Sequence, residues 1–466
     1  MSENLYDLLA SRFPKDPAAP CFLLADGDIS YGEVVETVGR LAALLIARGV
    51  EPGDRVAVQT EKSPQAVMLY LATLKAGAVF LPLNTAYTAG EVDYFLKDAE
   101  PRIFVQDAVA LAREAAALEP ATATVSRAGS DLASIIYTSG TTGRSKGAML
   151  SHANLAANAL ALHEIWGFSR DDVLLHALPI FHVHGLFVAL HCVFLSGAPM
   201  VWLPRFADGE AVAGLARATV MMGVPTFYTR LLANPEFTRE RAAHMRLFIC
   251  GSAPLLESTF AEFEARTGMR ILERYGMSEA AIITSNPLEG ERIAGSVGYP
   301  LPGVALRIDG GETGVIQIKG PSVFSAYWRM PEKTAEEFTA DGWFITGDVG
   351  RTDRDGRLWI SGRAKDLIIS GGFNVYPKEI ELVLDDLEGV VESAVIGVPH
   401  PDFGEAVVAV VMGHGAEADL IAQARARLAV FKAPKRVLFV DELPRNAMGK
   451  VQKTLLRQQY AELFGG

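Results

Sequence analysis

Y-T-S-G-T-T-G-R-S-K-G, residues 137–147, is the stretch from which the rest of the chain can be read. Its eleven residues hold five aliphatic hydroxyls (Thr138, Ser139, Thr141, Thr142, Ser145), three glycines including Gly140, and the cations Arg144 and Lys146. Glycine lets a backbone bend close to a ligand and present its N–H groups as an anion-binding nest. With hydroxyls and Lys146 as further donors, the segment reads as a loop that grips a polyphosphate. The apolar run D-L-A-S-I-I at 131–136 is the strand expected to feed it, and S-H-A-N-L at 151–155 is a helix start. A flexible linker is the alternative, but linkers are not normally flanked in this way. The common G-x-x-x-x-G-K-[ST] nucleotide loop is excluded, because Gly147 follows Lys146.

Outward from this loop, amphipathic helices alternate with short apolar strands: helices near 34–48 and 66–76, strands near 55–60 and 78–83. That alternation predicts parallel sheets with helices on their faces. After about 298 the texture changes to short β segments, which predict a small β subdomain ending before Gly362. From Asp366 onward a separate βαβ-like pattern begins, with a helix near 377–387, strands at 391–398, 406–412 and 436–440, and a helix from 419. About a hundred residues suffice for an independent domain. The expected fold is therefore α/β: a large N-terminal domain, 1–364, of helix-covered β-sheets plus a small β subdomain, and an α+β C-terminal domain, 365–466.

Composition excludes several functions. A net charge of −12 argues against nucleic acid, which needs a basic face. Three cysteines (Cys21, Cys192, Cys250) lie far apart with no zinc spacing, as expected of reduced thiols in a cytoplasmic protein. The acidic, amphipathic N-terminus is no secretory signal. One apolar stretch, 185–203, raises a membrane question, but His191, Ser196, Gly197 and Pro199 interrupt it below the ~18 residues a span needs. A helix followed by a core strand is expected there, with no membrane partner.

The loop at 137–147 resembles the phosphate loop of adenylate-forming enzymes, and the chain is similar to acyl-CoA synthetases from Tyr31 to Lys453. Within that superfamily it is most similar to malonyl-CoA synthetases. The strings M-G-V-P-T-F-Y-T-R (222–230), E-R-Y-G-M-S-E (273–279), I-S-G-G-F-N-V-Y-P-K-E-I (369–380) and P-R-N-A-M-G-K-V-Q-K (444–453) carry that match. The resemblance implies ligation of an acid to CoA through an acyl-adenylate, with release of AMP and pyrophosphate. ATP, Mg²⁺ and CoA are the expected co-substrates and cofactor.

Each motif then has an expected part. Thr138, Ser139, Gly140, Thr141, Thr142 and Lys146 hold ATP phosphates, Thr138 also acting in catalysis. A carboxylate beside a phosphate loop needs a bridging cation, and by resemblance Glu279 is the catalytic metal ligand while Tyr275 stacks on adenine. Glu273, Arg274, Gly276, Met277 and Ser278 flank that ring, and Ser252, Ala253 and Pro254 complete the nucleotide pocket. Asp348, in T-G-D-V-G, takes the ribose hydroxyls, and Arg363 reaches ribose and phosphate. Lys450, in a P-x-x-x-x-G-K frame, neutralises charge on the α-phosphate. By resemblance the C-terminal domain rotates about the hinge Lys365 between two orientations, one for each half-reaction. Gly371, Gly372 and Phe373 would then flank the pantetheine, and Lys432, Lys435 or Arg436 would meet CoA phosphates, unless these cations form a solvated basic face.

The acid is read from Arg274, which stands where many relatives carry an uncharged residue. A buried arginine needs a partner, and a second substrate carboxylate is a natural one. His182, Ser252 and Arg230 are candidates to complete that site. The alternative is a structural salt bridge from Arg274 to Glu273 or another acid. The expected substrate is a short dicarboxylate, malonate first. Malonate enzymes commonly carry threonine where Val183 stands and T-N-M-N where this chain has A-A-I-I at 280–283. These apolar walls, Ile282 among them, predict that methylmalonate and larger 2-substituted malonates compete. Rival readings are a ligase for another short acid, an adenylation enzyme loading a carrier protein, and a non-catalytic relative. The last should have lost Lys450 or Glu279, and both are present. No carrier-like domain follows within the sequence, which favours free CoA. The frame around Lys450 also resembles a site that an acetyltransferase and deacetylase pair would control.

Overall fold

The computed structural model describes residues 2–138, 145–446 and 449–464. The helix–strand alternation builds two parallel cores. In the first, strands Arg55–Val58, Val79–Pro82, Ile103–Val105 and Leu132–Thr138 run parallel. Helices Tyr31–Ala47, Pro64–Lys75 and Ala108–Ala115 pack together on one face. Helix Ala89–Ala99 covers the other face through Val92 and Phe95, against Leu81, Ile135 and Tyr137.

A further strand, Lys146–Ser151, returns antiparallel beside Leu132–Thr138, placing Thr138 opposite Lys146. The sequence placed a helix start at 151–155 beyond the phosphate loop and did not predict the strand between them. The structure inserts this strand first, because a short half-buried run carries no period that distinguishes it from a helix approach. Helix His152–Ile165 then starts at the expected cap, where the Asn154 N–H donates to Ser151 Oγ and the Ser151 N–H to Asn154 Oδ1.

The second core is the middle of a thirteen-stranded sheet. There Leu174–His176, Val220–Gly223, Leu247–Cys250 and Leu272–Met277 lie side by side in parallel. The sheet continues antiparallel through Ala281–Ser285 and Ser296–Pro300 into Leu358–Arg363 and Phe344–Thr352. The small β subdomain read from the sequence is the far end of this sheet.

The stretch at 185–203 becomes a π-helical turn His184–Ala189, a helix Leu190–Ser196 and a core strand Met200–Trp202. Among the described residues no helix is long and apolar enough to cross a membrane. All three cysteines are buried and unpaired.

The C-terminal domain has its own core, with Ile380, Leu384, Val395, Val407 and Leu420 at its centre. Strands Val390–His400 and Gly404–Gly413 form a long hairpin. Arg436–Val440 joins the second of them in parallel after the helix Glu417–Arg427, which is the βαβ unit the sequence predicted.

Candidate active site

The phosphate end of the site is organised by two residues that sequence motifs did not single out. Lys146 Nζ pairs with Glu337 Oε1 at 2.6 Å and lies 4.3 Å from the centre of the Tyr327 ring. The Tyr327 hydroxyl donates to Glu279 Oε1 at 3.0 Å and contacts Glu337 Oε2 at 3.2 Å. Lys146 and Glu279, expected on the same triphosphate, are therefore joined through one phenol and one carboxylate. Burial raises the Glu279 carboxyl above its ordinary range, opposed by the Tyr327 hydroxyl and the Lys146 charge. Thr138 ends its strand with Oγ1 3.5 Å from the Lys146 carbonyl. Ser139, Gly140, Thr141 and Thr142 lie outside the described residues.

The expected nucleoside end lies on strands: Asp348 and Arg363 face each other across the antiparallel pair Phe344–Thr352 and Leu358–Arg363. Strand Leu272–Met277 carries Tyr275, whose buried hydroxyl donates to Asp348 Oδ2 at 2.5 Å. Arg363 Nε takes the other carboxylate oxygen at 2.6 Å. The Asp348 carboxylate is thus fixed from both sides, with lone pairs left for ribose hydroxyls. Met277 and Ser278 are half-buried beside Gly276. Ser252 is held at φ +73°, in the left-handed region that a serine seldom adopts, with Ala253 and Pro254 following.

Lys450 comes into the same electrostatic field from the C-terminal domain. Its side chain reaches solvent, yet desolvation foremost, and then the Arg363 and Lys365 cations, lower its pKa to about 8 against Asp348 and Asp366. Lys365 sits in the short 3₁₀ turn Ala364–Asp366, between strands Leu358–Arg363 and Ile368–Ser370.

Several of the residues expected around the acid are buried groups that lack partners. Arg274 is 4% exposed, and its Nε and Nη2 have no hydrogen-bond partner. Nor do Nε2 of His182 and Nε2 of His184. Ser252 Oγ lies 3.3 Å from His184 Nδ1. Burial lowers the Arg274 pKa to about 10 and that of His182 to about 4, and burial together with the Arg274 charge keeps His184 neutral. His184 was missed in the sequence, although H-V-H-G contains it. The guanidinium fits only because residue 251 is glycine: a Cβ there would lie 2.6 Å from Arg274 Cζ.

Glu273 is not the partner of Arg274. Successive strand residues face opposite ways, and Glu273 Oε1 instead accepts the Gly295 N–H at 3.2 Å. Burial raises its pKa to about 8, helped by Glu257 and opposed by that N–H and by Lys378. No ion pair to Arg274 exists among the described residues, so the structural salt bridge does not form. Arg230 is exposed in this structure. Helix Pro225–Ala233 buries Tyr228, Leu231 and Leu232, which leaves Arg230 on the exposed face. Val183 is half-buried against the core, and Ile282 is buried with its backbone held by Asn158.

The CoA candidates divide. Gly371 and Gly372 have φ of +58° and +82° at the tip of a hairpin, a turn that glycine makes without strain. Beside them Phe373 is 55% exposed and stacks on Phe431. Lys432 is engaged by both Glu379 oxygens at 2.5 and 2.7 Å, and Arg436 by Glu417 at 2.7 Å. Both cations are thus already neutralised within their own domain, and Lys435 lies over the Phe403 ring.

A Gly/Ser/Thr-rich loop motif, a carboxylate held between Tyr275 and Arg363, and a lysine from a second domain are the features expected of an adenylate-forming enzyme. The sequence profile of the AMP-binding enzyme family matches residues 9–328, and that of the AMP-binding enzyme C-terminal domain matches 379–450. The chain belongs to this family. It is an AMP-forming acyl-CoA synthetase, with ATP and CoA as substrates, close to malonyl-CoA synthetases. ATP-bound MatB from Rhodopseudomonas palustris is 51% identical over the whole of both chains, with a TM-score of 0.97, whereas the apo form of that protein gives 0.86. The mitochondrial malonate–CoA ligase of Mus musculus is 36% identical over 89% of this chain and 84% of its own. Feruloyl-CoA synthase from an Amycolatopsis species is also 36% identical, over 93% and 94%.

Proposed function

We propose that the acid is malonate, with methylmalonate and other 2-substituted malonates also accepted. One observation carries this reading: the unpartnered nitrogens of Arg274, His182 and His184 lie in the buried region beside Ser252. Such a guanidinium costs several kcal/mol unless a ligand anion pairs with it. A carboxylate not consumed by ligation supplies that anion; feruloyl, acetyl and fatty acyl groups do not. The apolar walls Val183 and Ile282 favour an α-methyl by about 0.8 kcal/mol, roughly fourfold.

The fit of Mg²⁺ rests on Glu279. The carboxylate is buried, and the cation nearest to it, Lys146, is already paired with Glu337, so a hard cation shared with the ATP phosphates would supply the missing charge. Among the described residues no three metal-ligating side chains cluster, so phosphate and water would complete the coordination. Domains 1–364 and 365–466 would then exchange orientations about Lys365 between adenylation and thioester formation. Exposure of Lys450 also leaves it open to an acetyltransferase.

The test is AMP release, with free CoA or a purified carrier protein as acceptor, on malonate, methylmalonate, acetate and octanoate. Dicarboxylates should lead with CoA, and methylmalonate should compete within about an order of magnitude. A lead by acetate or octanoate would overturn the malonate reading, and near-absolute preference for malonate would overturn the relaxed pocket. Gly251→Ala is expected to displace the Arg274 guanidinium and lower kcat/KM for malonate by at least tenfold, with much less effect on KM for ATP. An unchanged kcat/KM would mean that the guanidinium does not need that space.

A further inference from the structure

We propose that Thr226 is the seat on which the Lys450 loop docks in the adenylating orientation. Gly449 and Lys450 are both tied to Asn446 within their own domain. The Gly449 N–H donates to the Asn446 carbonyl at 2.8 Å, and the Lys450 N–H to Asn446 Oδ1 at 3.0 Å. Arg445 donates to the Gly449 carbonyl at 2.7 Å and is itself held by Glu392. Gly449, at φ +73°, lies close to Thr226 of the N-terminal domain: a Cβ built there would stand 3.4 Å from Thr226 Cγ2 and 3.5 Å from Thr226 Oγ1.

Thr226 is equally fixed. It follows Pro225 at the start of helix Pro225–Ala233, and the Thr229 hydroxyl donates to its carbonyl at 3.1 Å. Two hydrogen-bonded segments therefore approach each other a single residue from the nitrogen-bearing side chain whose charge the first half-reaction needs. A contact of this kind sets position more than affinity. An error of about 1 Å in the placement of a catalytic group is enough to cost on the order of a hundredfold in rate. The contact belongs to one domain orientation only, so it should matter for adenylation and not for thioester formation.

The inference rests on the two-step chemistry of the family and not on which acid is used. In Thr226→Trp the new ring occupies the space of the Gly449 backbone. Pyrophosphate release on adenylation should fall at least tenfold, using the acid that the unmodified enzyme turns over. CoA ester formation from pre-formed acyl-adenylate should stay within about threefold, which also shows that the variant is folded. An equal fall in both half-reactions, or no fall in either, overturns the proposal. A second experiment does not depend on tolerance of tryptophan or on any substrate. In Thr226→Cys/Gly449→Cys, mild oxidation should close an intramolecular disulfide that stops overall turnover until reductant is added. Failure of that cross-link to form would show that the two surfaces do not meet.

Discussion

Arg274→Met is expected to lower kcat/KM for malonate by roughly a hundred- to a thousandfold, the 3–4 kcal/mol that a desolvated charge pair commands. Acetate and propionate should lose little or gain, so the preference between acid classes inverts. The same change should stabilise the ligand-free enzyme. Arg274 is buried with Nε and Nη2 unpartnered, and methionine of similar length would replace an uncompensated cation by an apolar chain. A gain of 1–2 kcal/mol raises the melting midpoint by a few degrees. The two readouts together separate the explanations. A ligand clamp predicts lost malonate activity with a higher midpoint, and a structural ion pair predicts a lower midpoint. Loss of activity on all acids alike would remove Arg274 from the specificity site.

The feature that makes Arg274 informative, a charge where an apolar residue is expected, was visible in the sequence. Its lack of an internal partner was not, since that depends on which way the strand turns. Glu273 precedes it but faces away, and only the observed strand shows that the nearest acid is unusable. The exposure of Arg230 has a corresponding helical reason: once Tyr228, Leu231 and Leu232 are buried, position 230 points outward. Glu337 and Tyr327 lie almost two hundred residues from Lys146, beyond any motif spacing. Lys432 and Arg436 were candidate phosphate contacts because their partners, Glu379 and Glu417, are 53 and 19 residues away. The parallel cores were legible because helix and strand periods alternate. The antiparallel return at Lys146–Ser151 and the extension of the main sheet were not, because a short apolar run does not name its neighbour.

Lys450→Met is expected to slow adenylation by on the order of a thousandfold while leaving thioester formation from pre-formed adenylate nearly intact. A cation about 4 Å from the α-phosphate, at an effective dielectric near 20, contributes roughly 4 kcal/mol. The pH dependence gives a sharper check. Lys450 is lowered from its ordinary value to about 8, by desolvation first and by Arg363 and Lys365 next. The useful form is the cation, which predominates below that value. Adenylation should therefore fall as pH rises through about 8 when followed as kcat/KM for ATP, which reports the free enzyme. Bound triphosphate adds negative charge beside the ammonium and favours its protonation, so the same limb in kcat should move to higher pH. Lys450→Arg keeps the charge at all accessible pH and should erase the limb at a lower absolute rate, since the planar fork does not reproduce a point charge. A limb near pH 8 that survives in the arginine variant belongs to another group, and Lys450 would then act by position rather than by its proton.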